Sequence, residues 1–451
     1  MQVVAVASVA MVGIVSQHRQ PLGARDAVPT FSEDVAPILF KNCTSCHRPG
    51  GLGPFSLLEY DSAKTHVSKI AQAVETGYMP PWHAEGPHDV FRNDRRLTDA
   101  EKGTILRWID GGVKPGDLNA MPPRPSYATG WEIGKPDAVV SMGEEFPVPA
   151  AGTVEYQYFE VPTNLTEDKW VTAIEIKPGA REVVHHVIVF AKVPPAPRPA
   201  NAPAAPPASA PAPRPAGPAP APVLIRNPAH GQPDEAPRLD TLHAPPRQIG
   251  VMIGGTAPGT NVIELPAGTA LRLRAGTVLT FQMHYTAKGH AMHDRTSVGF
   301  KFSDKAPEEE IRMNSFQNGS FTLPAGKKDI AVPAEIGFGQ AVRVWALLPH
   351  THLRGTRWIY KLEKPDGTSE TILDVPRYDF NWQTQYFFNT PLEIPAGSKI
   401  TSTAWYDNSA TNKSNPDPTK DVKWGDQTWE EMQFTGFFYS ITNGKPRPGT
   451  K

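Results

Sequence analysis

Cysteine is nearly absent: the 451 residues hold two, Cys43 and Cys46, three positions apart. A long-range disulfide framework is therefore excluded, and a chain of this length can bury large cores without one. Net charge is missing too. Forty-five basic residues face 46 acidic ones, a formal balance of -1, which argues against nucleic acid or an anionic membrane surface as a main partner. The apolar run 3–15 (VVAVASVAMVGIV) is too short to span a bilayer but has the length of a signal-peptide core, although no basic stretch precedes it. Residues 1–28 are accordingly expected to be an export signal and mature tail. That places the protein in the periplasm or outside the cell, with no stable membrane span.

Proline is abundant instead. Of 49 prolines, 13 fall within residues 194–222, a stretch of Pro, Ala, Arg, Asn, Ser and Gly that reads as an extended, disordered insertion without chemistry. The remainder suits a loop-rich β protein. Residues 30–120 form an exception with three helical stretches. Ser32 is placed to cap the first, which runs through Phe40. Residues 61–75 make the second, and Thr98 with Glu101 forms a capping box that opens the third, stopped by Gly111-Gly112. From about 131 the pattern turns to β, with strands expected in 171–176, 182–190, 269–285 and 399–406. Pro-Ala-Gly at 266–268, 324–326 and 395–397 reads as a turn leading into a strand.

Cys43-Thr44-Ser45-Cys46-His47 is the C-x-x-C-H sequence of covalent c-type heme attachment: two thiols for the vinyl groups and an adjacent imidazole for the iron. A stray redox dithiol is the plainer reading, and the flanking helices argue against it. Met79, in Gly77-Tyr78-Met79-Pro80-Pro81-Trp82, is the expected sixth ligand, with His66, His83 and His88 as nearby competitors. Methionine opposite histidine raises the potential and fills the coordination sphere, which suits electron transfer. The helix, the C-x-x-C-H, the Met-Pro-Pro loop and the final LTDAEKGTILRWIDGG segment together resemble a class I cytochrome c across 31–115.

The β region carries a second series of candidate ligands: His185-His186, His284, His350-Thr351-His352 and Met432. Taken singly, each histidine is more commonly a hydrogen-bonded structural residue, and a Met among aromatics is more commonly core. His-x-His on a strand puts both rings on one face. Adjacent histidines point to opposite faces, so His185 and His186 need a bulge to serve one ion. Imidazoles with a thioether are a soft set that favours copper. His230, His243, His290 and His293 lie in loop-like sequence and read as solvated, and Glu308-Glu309-Glu310 as a solvated turn.

VVHHVIVF (183–190), APGT with LPAG and FQMHYTAKG (257–289), PHTHLRG (349–355) and WGDQTWEEMQF (424–434) resemble, in that order, the copper type II, ascorbate-dependent monooxygenases, the peptidylglycine α-hydroxylating and dopamine β-monooxygenase family. The resemblance implies two consecutive jelly-roll β-sandwiches, 131–290 and 291–445, each with one copper. It assigns His185, His186 and His284 to an electron-storing copper. His350, His352 and Met432 go to the copper where oxygen is activated, and these three are the expected catalytic residues. The departures are specific. No cysteine remains for the family's disulfides, Leu348 stands where peptide-amidating enzymes carry an arginine, and Phe434 and Gly436 replace their Asn and Tyr. Gln282 matches them.

The expectation is therefore a multidomain protein, a small all-α cytochrome c domain followed by tandem all-β sandwiches, holding one heme c and two coppers. It would hydroxylate an activated C–H bond of a small organic substrate with O₂. Electrons would arrive through the heme from a redox protein or a quinol-derived donor. The rival expectations are a copper-binding electron-transfer protein without oxygenation, and a copper dehydrogenase that passes electrons out through the heme.

Overall fold

The structure, a computed structural model, describes residues 27–192, 250–256 and 262–442, together with two short strands at Arg226–Asn227 and Gln232–Pro233. The expected signal segment up to residue 26, the insertion 194–222, His230 and His243 lie outside the described residues. The described chain is predominantly β, and no helix in it is long and apolar enough to cross a membrane.

Helices gather between residues 31 and 110. A first turn, Phe31–Val35, runs into Ala36–Asn42. Its cap position is Thr30, not Ser32: the helical turn already begins at Phe31, so Ser32 lies inside it with its side chain buried. The second stretch is two helices, Tyr60–Thr65 and Val67–Glu75, broken at His66. Asp99–Asp110 opens with the Thr98/Glu101 capping box in both directions and buries Ile105 and Trp108. Phe31, Leu39, Ile70, Val74, Ile105 and Trp108 meet in one core.

Two packed β units follow. In the first, strands Gln157–Pro162, Val278–Tyr285, Val184–Lys192 and Val251–Thr256 make one sheet, while Ala138–Ser141, Ser297–Ser303, Lys169–Lys177 and Thr269–Leu273 lie in the other. Alternate residues from each close over a shared core that includes Val171, Ile174, Val187, Val189, Phe281 and Met283. In the second unit, Ile330–Gly337, Lys399–Tyr406, Gly355–Glu363 and Ser369–Val375 form a sheet facing Glu309–Gln317, Phe434–Ile441, Val342–His350 and Tyr386–Ile394. Trp358, Tyr360, Leu347 and Phe437 lie between them. The Pro-Ala-Gly turns behave as read, with Gly268, Gly326 and Gly397 all at positive φ.

Several boundaries differ from the sequence reading. Met292–Asp294 and Ser297–Ser303 pair with strands of the first unit, carrying it to about residue 303 instead of 290. The units also share a sheet, because Thr269–Leu273 runs parallel to Glu309–Gln317, Thr269 opposite Glu309. Glu309 is consequently not in a solvated turn. It is buried, ion-paired to Arg343 and bonded to Ser440. The helical segment does not stop at its own core either. Trp82, Ala84 and Phe91 belong to the core of the second β unit, and Phe91 forms a bridge with Phe388. Asn93 donates to the Gln385 carbonyl at 2.7 Å. This arm holds the helices against the second β unit.

Candidate metal centres

His186 and His284 stand directly opposite each other on antiparallel strands Val184–Lys192 and Val278–Tyr285. The register then slips: Tyr285 pairs with Val184, and His185 is left out of the ladder as a bulge. That one extra residue turns the His185 ring onto the face already used by the other two. Nδ1 of His186 lies 3.3 Å from Nδ1 of His185 and 3.4 Å from Nδ1 of His284. All three rings offer a nitrogen within 4.8 Å of the others. Three nitrogens cannot all share hydrogens in so small a space, whereas one cation accepts all three lone pairs. Tyr156 Oη sits 3.2 Å from His186 Nε2 and can take its hydrogen, which leaves Nδ1 free.

The second cluster hangs from the end of strand Val342–His350. Nδ1–H of His350 donates to Gln383 Oε1 at 2.7 Å, and Nδ1–H of His352 donates to the Glu430 carbonyl at 3.2 Å. Both bonds fix the tautomer with Nε2 as the free donor atom. His352 Nε2 is buried with no hydrogen-bond partner, an orphaned lone pair of the kind that a bound metal satisfies. Met432 lines the same cavity as these two rings. Two imidazoles and a thioether fit a soft ion such as Cu(I), so the donor chemistry matches the metal expected from the sequence.

Sequence reasoning passed over the groups that hold this set in place. Glu431, fully buried, accepts from the backbone N–H of His352 at 2.9 Å, Arg354 at 2.6 Å and Met432 at 3.3 Å. It thereby ties the His-x-His turn to the Met segment. Burial pushes its carboxyl up to about 7 against the opposing pull of these donors. Tyr378 clamps the turn from the other side through both backbone groups of Thr351. The doubled acid before Met432 was the signal available for Glu431. Gln383 and Tyr378 gave none, since only folding brings them near.

The two clusters are neighbours. A cavity of about 490 Å³ is walled by His186 of the first and by His350, His352 and Met432 of the second. Leu348 and Phe434 line it, as does Gln282, whose amide donates to Tyr158 Oη at 2.8 Å. Its wall carries no lysine or arginine among the described residues, and Asp426 is its carboxylate.

Burial lowers every one of these imidazole pKa values: His185 and His350 to about 4, His284 to about 3, and His186 and His352 well below their ordinary 6.5; neighbouring rings add to the effect at His186, His284 and His352, Lys288 and a ring at His185, while Gln383 opposes it at His350. The rings are therefore neutral and ready to ligate at neutral pH. For the metal-free protein the linkage is definite. Below pH 6.5 the unfolded chain binds protons that the folded one refuses, so stability falls as pH drops from about 6.5 toward 4. His350 alone contributes roughly 2 kcal/mol of that loss by pH 5. Thermal melts of chelated protein at pH 7.5 and 5 check this; unchanged melting would contradict the burial of these rings.

Cys43, Cys46, His47 and Met79 line one apolar pocket of about 210 Å³, with Leu39, Phe55, Ile70 and Leu97. The His47 Nδ1–H donates to the Phe55 carbonyl at 3.1 Å, which leaves Nε2 as the ligand atom, and Gly53 packs so close to the His47 ring that a Cβ there would strike it. None of the competing histidines lines the pocket. His66 stacks on Phe55 at 3.8 Å and bonds the Ser62 carbonyl, and His88 pairs with Asp94 at 3.2 Å. His290 is exposed beside Glu182, and His293 is exposed. The cysteines, the imidazole and the thioether line one apolar pocket and match a c-type heme in their chemistry.

No family model matches the chain, and no curated protein matches it. Among solved structures, the major capsid protein P2 of bacteriophage PM2 shares 8% identity over 69% of this chain and 99% of its own, with a TM-score of 0.26. The infectious bursal disease virus Gt strain structure shares 9%, over 69% and 74%, with a TM-score of 0.17. At such TM-scores these likenesses carry no argument about fold or function.

Proposed function

We propose that this chain is an exported copper monooxygenase with a built-in cytochrome c, made of a small helical heme domain and two jelly-roll sandwiches. The observation that carries the reading is the shared cavity: His186 of the three-histidine cluster stands in one wall, and His350, His352 and Met432 stand in another. Bound copper supplies one-electron chemistry and a site for O₂, and bound heme supplies a one-electron store. The protein's part is positional. His350 and His352 present Nε2 to the cavity because Gln383 and the Glu430 carbonyl hold their Nδ1 hydrogens. Glu431 keeps Met432 in register with them. His185, His186 and His284 offer a site with no thioether, suited to holding an electron, not to binding the substrate.

Leu348, Phe434, Val187, Ile188 and Met313 make the cavity mostly apolar, with amide and carboxylate groups at its margins. The substrate class is accordingly a small, largely apolar organic molecule, not a peptide carboxylate, since no lysine or arginine among the described residues stands in the wall to receive one. Metal and heme analysis of exported protein, followed by O₂ uptake with a reduced donor, tests the reading. The expected result is one heme, two coppers, and O₂ consumption matched by hydroxylated product. Metal binding without product would leave a copper-binding electron carrier. Heme reduction on substrate addition without O₂ would favour the reversed current of a dehydrogenase.

A further inference from the structure

Between the heme-side pocket and both histidine clusters runs one short stretch of the second β unit, Phe380-Asn381-Trp382-Gln383. Trp382 forms part of the wall of the pocket that holds Cys43, Cys46, His47 and Met79, although it belongs to a different unit. Its indole Nε1 is buried there without a hydrogen-bond partner. Two residues earlier, Phe380 stacks on His185, with ring centroids 5.1 Å apart and planes 16° apart, and meets His352 edge-on at 6.2 Å. One residue later, Gln383 accepts from His350 Nδ1. The stretch thus touches the heme pocket, the three-histidine cluster and the His-His-Met cluster within four residues.

It is also held rigidly. The Trp382 backbone N–H donates to the Asp379 carbonyl at 2.9 Å, and the Gln383 side-chain amide donates to the Phe380 carbonyl at 3.2 Å. Tyr378 anchors its start to Thr351, between the two histidines of the second cluster. Its far end is tied to the helical segment through Asn93, which bonds both Gln385 and Phe387. Arg377 reaches the Thr76 carbonyl, just before Met79. A loop whose only task was to close a hairpin would not need anchors on both units, nor place an aromatic ring on each metal-binding neighbourhood.

We propose that Phe380–Gln383 is the electron bridge of this protein: the Trp382 ring at the heme-side pocket and the Phe380 ring stacked on His185 couple the two sites for tunnelling, and neither ring is itself reduced. The inference rests on the heme and copper reading above. The step it describes is a single electron transfer: ferrous heme becomes ferric and one cupric ion becomes cuprous, with no bond made or broken and no proton moved.

The test uses full-length protein loaded with heme and copper, oxidised, under argon and without substrate. A photosensitiser reduces the heme in a flash. The return of its ferric absorption and the loss of the Cu(II) paramagnetic signal are then followed together. Phe380→Leu, which keeps an apolar side chain but removes the stacked ring, and Trp382→Leu should each slow heme reoxidation by an order of magnitude or more. Trp382→Phe should recover most of the rate. Heme spectrum, heme potential and copper content are measured for each variant, so that a changed driving force is separated from a lost route. Wild-type transfer with unchanged rates in Phe380→Leu and Trp382→Leu overturns the bridge alone. Absence of heme-to-copper transfer in the wild type overturns the bridge and the heme-fed reading together.

Discussion

Met432→Ala is expected to abolish turnover and to weaken Cu(I) binding by at least about a hundredfold, since even partners of ligands commonly cost ten- to a hundredfold. The argument starts from the cavity. Met432 is half-buried on the wall shared with His350 and His352, and its backbone, not its side chain, carries the local hydrogen bonds: its N–H to Glu431 and its carbonyl from Tyr406 Oη at 2.7 Å. Truncating the side chain therefore removes the thioether and spares those bonds. The fold should survive with a small loss of stability, and competition with a Cu(I) chelator should read one tight site in the variant against two expected in the wild type. His284→Ala makes the complementary cut. It removes one of three rings from the other cluster, so the His-His-Met site keeps its affinity while turnover still stops. Wild-type turnover in either variant would sink the assignment of roles.

What could be read in the sequence, and what could not, divides by range. His185-His186, His350-Thr351-His352 and the C-x-x-C-H are local: ligand types at short spacing, visible without a fold. The need for a bulge at the adjacent pair was also legible, because a strand alternates faces, and the structure puts that bulge at His185. The strand segments followed from alternation, as in Lys399–Tyr406. Illegible were the contacts created only by closure of the sheets. Gln383 lies 33 residues from His350, and Glu431 lies 79 from His352. No spacing rule joins them. The 290 boundary missed because strand Ser297–Ser303 completes the first unit across Lys169–Lys177, a pairing separated by more than a hundred residues. Trp82 and Phe91 read as part of the helical domain by position, yet their apolar bulk is satisfied against Tyr386 at 5.1 and 5.6 Å. Glu309 read as solvent-facing because it sits in an acidic run. Burial was affordable only because Arg343 and Ser440 arrive from two other strands.

Replacing both Cys43 and Cys46 with alanine should give a protein with no covalent heme and with both copper sites intact. The independence comes from the cores. The helices pack through Phe31, Leu39, Ile70, Ile105 and Trp108, a cluster separate from those of the two sandwiches. Cys43 lies at the edge of that cluster, where burial pushes its thiol up to about 12, so an alanine there loses the sulfur without stranding a charge. The arm is likewise unaffected, since Trp82 and Phe91 are held by the second sandwich and not by the heme pocket. Copper stoichiometry should therefore stay at two, and turnover with an artificial donor should persist, while reduction by a cytochrome or quinol-derived donor falls to background. Heme that remains attached after acid-acetone extraction of the double variant would refute the attachment site. Loss of copper along with the heme would mean that the helical segment is needed to build the copper cavity. In that case Trp382, which faces the heme pocket from the copper side, would be the first residue to examine.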